Sequence, residues 1–112
     1  MGEESACRFL ESKGYKILAR NFHTAWGEID IIACHSSTIV FVEVKTRSSS
    51  HFAAPEESVT LTKQDRMRRA AELWLAEHFP NDSPQCRFDV VSITLPQSPA
   101  VIRIEHFEAA FE

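Results

Sequence analysis

Two carboxylates and a lysine stand where their spacing could do chemistry. The run Gly27-Glu-Ile-Asp-Ile-Ile-Ala-Cys34 leads through His35-Ser-Ser-Thr38 into Ile39-Val-Phe-Val-Glu-Val-Lys-Thr-Arg47. Two apolar runs about a short polar break predict a β-hairpin. Side chains alternate faces along a strand. Glu28 and Asp30 then share one face, and Ile29, Ile31 and Ala33 the other. On the second strand Phe41, Glu43 and Lys45 share a face, and Val40, Val42 and Val44 the other. With Cys34 opposite Ile39, Asp30 faces Glu43 and Glu28 faces Lys45. A slip of one residue would put carboxylates on the apolar face, which burial penalises. Patterning thus selects the register that gathers Glu28, Asp30, Glu43 and Lys45 on one side.

A cluster of carboxylates with a lysine suits a hard cation. Mg²⁺ takes oxygen ligands, keeps several waters, and is commonly held by one or two carboxylates plus phosphate oxygens. Asp30 and Glu43 are the expected ligands, with the backbone carbonyl of Val44 as a third. Lys45 would position an attacking water or neutralise developing charge, so the chemistry is metal-assisted hydrolysis of a phosphodiester. Spacing alone does not decide the matter. A half-buried hairpin alternates apolar with polar residues in any case, and cross-strand Glu–Lys pairs are ordinary surface decoration.

The surrounding elements must position this cluster. Ala6, Phe9 and Leu10 at helical spacing predict a helix over Glu3–Lys13, stopped by Gly14. A strand is expected over Tyr15–Phe22, with Tyr15, Ile17 and Ala19 on one side. After the hairpin, Ser48–Pro55 reads as a loop, in which Pro55 could open a short helix. The longest helix is expected over Thr62–Phe79, with Thr62 as N-cap and a stripe of Met67, Ala70, Ala71, Trp74 and His78. Arg87–Leu95 reads as a half-buried strand, Pro96–Pro99 as a turn, Ala100–His106 as a last strand and Phe107–Phe111 as a helical tail. The order is helix, three strands, long helix, two strands. It implies one α/β domain over residues 1–112, with a mixed sheet of about five strands and helices on both faces.

Composition sets bounds. The 112 residues suffice for one core, and 44% hydrophobic and 25% charged residues are ordinary for a soluble globular protein. No apolar run approaches the roughly 20 residues of a membrane span, and the opening Met-Gly-Glu-Glu is not a secretory signal. The separated Cys7, Cys34 and Cys86 argue against a disulfide framework or thiolate zinc site, and fit reduced residues in a cytoplasmic protein. A net charge of −4 excludes coating nucleic acid by bulk electrostatics, but not basic residues concentrated on one surface. Arg47, just after the Glu-x-Lys strand, is a candidate phosphate contact. Lys63, Arg66 and Arg69 flank the long helix's stripe and would meet phosphates or form a solvated face paired with Glu72 and Glu77. Trp26, Trp74 and Phe9 are read as core, the five histidines mostly as surface, and Asp89 as structural or exposed.

Gly27–Ala33 followed by Val40–Arg47 resembles the signature of the YraN-like family of uncharacterised bacterial proteins. Glu3-x-x-Ala6-x-x-Phe9-Leu10, Gly14-Tyr15, Arg20-Asn21, Lys63-Gln64, Ala71, Trp74-Leu75 and Arg87-Phe88-Asp89-Val90 continue the likeness in order. Ala53 departs from it, where the family tends to glycine. That family is similar to the PD-(D/E)XK nuclease superfamily, in particular junction resolvases, which implies a restriction-endonuclease-like fold. Carried over, Asp30 is the Asp and Glu43-Val44-Lys45 the Glu-x-Lys, binding Mg²⁺ or Mn²⁺. The resemblance makes Glu3 a further metal-proximal carboxylate, brings Gln64 towards the site, and allows a two-fold homodimer. Two functions follow as expectations. One is a metal-dependent nuclease acting on nucleic acid, DNA before RNA, with Glu28 or Glu3 supporting. The other is a non-catalytic nucleic-acid- or protein-binding module on the same scaffold.

Overall fold

A computed structural model describes residues 2–48, 59–95 and 102–112. The chain forms α1 (Gly2–Ser12), β1 (Lys16–His23), β2 (Glu28–His35), β3 (Thr38–Ser48), α2 (Leu61–His78), β4 (Gln85–Leu95) and β5 (Arg103–Phe111). The five strands form one sheet in the order β1-β2-β3-β4-β5. Only β3 and β4 run parallel; the other neighbours are antiparallel. This is the mixed α/β architecture expected. The parallel step follows from α2, because a crossover is needed to return the chain in the same direction. The residues expected to form the Ser48–Pro55 loop (beyond Ser48) and the Pro96–Pro99 turn, together with Ala53 and the possible helix at Pro55, lie outside the described residues.

Each helix covers one face of the sheet. Ala6, Cys7 and Leu10 of α1 pack with Tyr15, Ile31, Ala33, Val40, Val42, Val91 and Ile93. Ala70, Ala71 and Trp74 of α2 pack with Ile29, Ile32, Ile39 and Phe41. Gly14 ends α1 as expected: its φ is +91, the N–H of Tyr15 reaches the carbonyl of Leu10, and that of Gly14 reaches Glu11. This Schellman closure needs a residue tolerant of the left-handed region. The hairpin turn Ser36–Ser37 has both φ angles positive, 48 and 70, as a two-residue turn matched to strand twist requires.

Several expectations are corrected. The N-cap of α2 is Thr60, whose hydroxyl accepts from the N–H of Lys63, and Thr62 lies inside the first turn. Two threonines compete for that role, and the one at the strand-like backbone conformation wins. Ala19 packs on the α2 face, not beside Ile17, because the β1–β2 register shifts between Ile17 and Ala19 and a bulge turns the following side chains over. Residues 107–111 are not helical; β5 runs to Phe111, with the register against β4 shifting between Phe88 and Val90.

Asp89, expected to be structural or exposed, is structural, and His106 is a histidine drawn off the surface to it. Asp89 is fully buried, and His106 nearly so at 2% side-chain exposure. The Asp89 carboxylate accepts from Arg87 Nε and Nη2, both at 2.9 Å, from His106 Nε2 at 2.7 Å and from the N–H of Ala109 at 2.9 Å. Arg87 also donates to the Tyr15 hydroxyl at 2.6 Å. Burial pushes the Asp89 carboxyl up, but the hydrogen bonds from His106, Arg87 and Ala109 outweigh it and hold it below the ordinary 3.8. Its contribution to stability is therefore present above about pH 4 and lost as pH falls through the depressed value. Asp89→Ala should destabilise the fold by about 3 kcal/mol near neutral pH, since it strands Arg87. Urea unfolding measures this; a loss under about 0.5 kcal/mol, the range of an ordinary surface change, would show that the network holds nothing together.

Candidate active site

The hairpin register is the one patterning selects, with Cys34 opposite Ile39 and Ile31 opposite Val42. The β2–β3 pairing ends there, and the N–H of Val44 donates to Asp30 Oδ2 at 2.8 Å. On the other side Asn21, between the Arg20–Ile31 and Phe22–Ile29 pairs, is left-handed at φ 51. Asparagine tolerates that region better than most residues. Strict alternation breaks at this point: Ile29 joins Ile32 in the α2-side cluster and not Ile31 and Ala33. Asp30 sits at the break, where its carboxylate replaces a regular ladder contact.

Glu43 projects towards α2 and is 4% exposed. Its Oε2 accepts a hydrogen bond from Lys63 Nζ, and Lys45 Nζ lies 3.6 Å from the same oxygen. Lys63 is on the first turn of α2, so the Thr60 cap that starts the helix also aims this lysine. Burial draws Lys63 down, but the hydrogen bond and charge of Glu43 outweigh it and leave the ammonium raised. Lys45 is lowered, by burial first and then by the Lys63 charge. Ser92 stands beside Lys45 in the parallel β3–β4 register, and its buried hydroxyl has no partner among the described residues.

Asp30 lies in the field of these groups. Burial, the Glu43 charge and, more weakly, the Glu3 charge raise its carboxyl to about 6; the Val44 N–H and the Lys63 charge act against them. Glu3, on the first turn of α1, lines a cleft with Arg20, Val44 and Thr46. The structure thus brings Asp30, Glu43, Lys45 and Val44 together, with Glu3 close enough for its charge to act. Glu28 lies elsewhere: it is exposed, and its carboxylate meets His23 Nδ1 at 2.9 Å. Among the described residues no group of three or more His, Cys, Asp and Glu side chains is placed to hold a metal ion. The donor set is two carboxylates and a carbonyl, within what Mg²⁺ accepts when water completes its shell.

The other candidates are distributed along α2 and β3. Gln64 Nε2 donates to the Val59 carbonyl at 3.0 Å and its Oε1 accepts from Arg68 at 3.2 Å, which ties the start of the helix. Arg47 is half-buried opposite Thr94. Arg66 and Arg69 line a cleft with the Thr24–Gly27 loop. Trp26, read from sequence as core, is 52% exposed there. The signal available was its position beside Gly27 between two strands, outside any apolar period. Of the three cysteines, all unpaired, Cys7 is buried, Cys34 half-buried and Cys86 exposed. Among the described residues no helix is long and apolar enough to cross a membrane.

The sequence model of the uncharacterised protein family UPF0102 matches residues 2–93. A UPF0102 protein of Geobacter metallireducens is 50% identical over 111 residues, covering 99% of this chain and 88% of its own length. One from Nocardia farcinica is 48% identical over 112 residues, covering 98% and 85%. One from Syntrophomonas wolfei is 47% identical over 110 residues, covering 98% and 93%.

The raised Asp30 carboxyl has a consequence for stability. Its folded value of about 6 exceeds the ordinary 3.8, so its favourable contribution is full below about pH 4 and is lost as pH rises through 6. Asp30→Asn keeps an acceptor for Val44 and removes the charge. The variant should match the wild type near pH 4 and exceed it by about 1–2 kcal/mol at pH 8, after discounting for partial solvent screening. Chemical denaturation across that range tests this; equal stability at pH 8 would mean that neither burial nor the Glu43 charge burdens the Asp30 anion.

Proposed function

The chain belongs to the uncharacterised protein family UPF0102, and on that premise we propose that it is a divalent-cation-dependent nuclease-like protein that hydrolyses phosphodiester bonds in nucleic acid. One observation carries the reading. The half-buried Asp30 carboxylate accepts from the N–H of Val44, the residue after the buried Glu43, and burial first and the Glu43 charge second raise the Asp30 carboxyl to about 6. Like charges gathered out of water are costly unless a cation offsets them. The buried, unpartnered Ser92 hydroxyl beside Lys45 fits a site that also takes up water.

In this reading Asp30, Glu43 and the Val44 carbonyl are the ligands, with Glu3 alongside. Mg²⁺ or Mn²⁺ held there supplies acidification of a water and neutralisation of charge at a phosphate. Lys45, made more acidic by its surroundings, orients the water or gives a proton to the leaving oxygen. A cation at Glu43 would free Lys63, now bonded to that carboxylate, to meet a phosphate, and Arg47 lies two residues beyond Lys45 on β3. DNA is the expected polymer. A junction, with two equivalent strands to cut, would call for a two-fold pair of chains. The resemblance to PD-(D/E)XK nucleases supports the same assignment of Asp30 and Glu43-Val44-Lys45.

A second reading rests on a specific contact. Glu43 already has Lys63 and Lys45 against it, so the two ammonium groups can take the place of a cation. The domain would then be a non-catalytic nucleic-acid- or protein-binding module on a nuclease-like scaffold.

The experiments separate the two. Calorimetric titration with Mn²⁺ should show binding to the wild type and none to Asp30→Asn or Glu43→Gln; equal binding by all three sinks the metal site. Purified protein with Mg²⁺ or Mn²⁺ should cleave one of single-stranded, duplex or branched DNA. Glu43→Gln and Lys45→Ala should each lower the rate about a hundredfold or more. Cleavage that survives both changes would place the activity elsewhere, and metal-free binding without cleavage selects the second reading.

A further inference from the structure

The Thr24–Gly27 loop spends four hydrogen bonds on holding one exposed aromatic side chain in place. The Thr24 hydroxyl donates to the Gly27 carbonyl at 2.8 Å and accepts from the N–H groups of Trp26 at 3.0 Å and Gly27 at 3.1 Å. The Thr24 N–H meets the same Gly27 carbonyl at 2.8 Å. Gly27 is pressed against α2: a Cβ there would lie 2.9 Å from Arg66 Cβ. The loop is therefore rigid and docked, yet Trp26 remains 52% exposed. The Arg69 guanidinium lies over its ring, 4.8 Å from the centroid, and Trp26 lines clefts on both sides, one with Arg66 and one with Glu72, Leu73 and Ala76.

We propose that Trp26, Arg66 and Arg69 form a docking platform for an unpaired nucleic-acid strand, a base stacking on Trp26 while the arginines take its phosphates. The proposal rests on the nucleic-acid reading of the neighbouring site and names the strand form that site receives. Trp26, Gly27, Thr62, Arg66 and Arg69 line an open cleft of about 580 Å³. Asp65 also lines it, but its carboxylate is turned to Arg68 at 2.9 Å. Among the described residues no carboxylate pairs with Arg66 or Arg69. A second cleft shares Gly27, Thr62 and Arg66 and reaches Lys63, whose ammonium bonds Glu43; Glu28 also lines it, its carboxylate meeting His23 Nδ1 at 2.9 Å. A strand laid along the first turns of α2 thus runs from Trp26 to Lys63, the partner of the buried Glu43. Base faces are free for an indole only in unpaired strands, since a duplex already covers them with neighbouring bases. The acidic chain as a whole, at −4, makes a local basic row on one helix face the selective element.

The test is binding in EDTA, where no cleavage intervenes. A fluorescent oligothymidylate should bind more tightly than a blunt duplex of equal length and should quench tryptophan emission, because the other tryptophan, Trp74, is buried. Trp26→Ala should weaken oligothymidylate binding about tenfold to a hundredfold, with urea unfolding unchanged enough to show an intact fold. The double change of Arg66→Ala and Arg69→Ala should also flatten the dependence of log affinity on log salt by about one unit. Equal binding of duplex and single strand, wild-type affinity in Trp26→Ala, or equal competition by polyglutamate would overturn the platform. Cleavage by a protein that fails this test would leave the nuclease reading standing. Binding that passes it without cleavage would uphold the platform and sink the nuclease.

Discussion

A carboxylate on a strand buried from both sides must be met by cations, and Glu43 imposes that requirement on everything around it. β3 has β2 and β4 as hydrogen-bonded neighbours and a helix over each face. Glu43 is only 4% exposed, and its charge is answered from within by Lys45 on the same strand and Lys63 on α2. The start of α2 is consequently not free to drift. Thr60 caps it and Gln64 ties it back to the Val59 carbonyl, which places the Lys63 ammonium over the strand. The same turn carries the helix face towards the Thr24–Gly27 loop, where Gly27 permits contact with Arg66.

Two carboxylates of the sheet, the fully buried Asp89 and the half-buried Asp30, show what separates structure from reactivity. Asp89 has a bidentate arginine, a histidine and a backbone N–H, and its carboxyl is held down as a stable anion. Asp30 has one backbone N–H and a second carboxylate nearby, and is held up near 6. The difference is saturation: donors fill the first site and leave it inert, while the second is short of positive charge. Groups left poised in this way cluster where proteins do chemistry or bind ions. Trp26 is the apolar counterpart, a large ring kept in solvent by a loop whose own hydrogen bonds are complete.

Much of the hairpin and of the first helix is legible in the sequence. The β2–β3 register followed from alternation, because a one-residue slip would have buried several charges at once. Gly14 announced the end of α1 because few other residues accept its backbone angle. Local patterns failed where the backbone departs from its period. The bulge after Ile17 sent Ala19 to the other face, and the break at Asn21 and Asp30 did the same to Ile29. The last residues read as helical because their spacing suits either state; pairing with β4 made them a strand. Whether Asp89 was structural or exposed stayed open in the sequence because its partners come from as far away as Tyr15, through Arg87, and His106.

The sequence by itself determined the order of elements, the register of the central hairpin and the gathering of Asp30, Glu43 and Lys45 at one end of it. Those follow from period and burial, which act between residues near in the chain. Only the tertiary structure decided that Lys63 answers Glu43, that Glu28 leaves the cluster for His23, that Asp89 is saturated while Asp30 is not, and that Trp26 stays in solvent beside Arg69. Each of these depends on which side chains from distant segments meet across a face of the sheet. No local pattern records such a meeting, because it is set by how the helices pack once the core has closed.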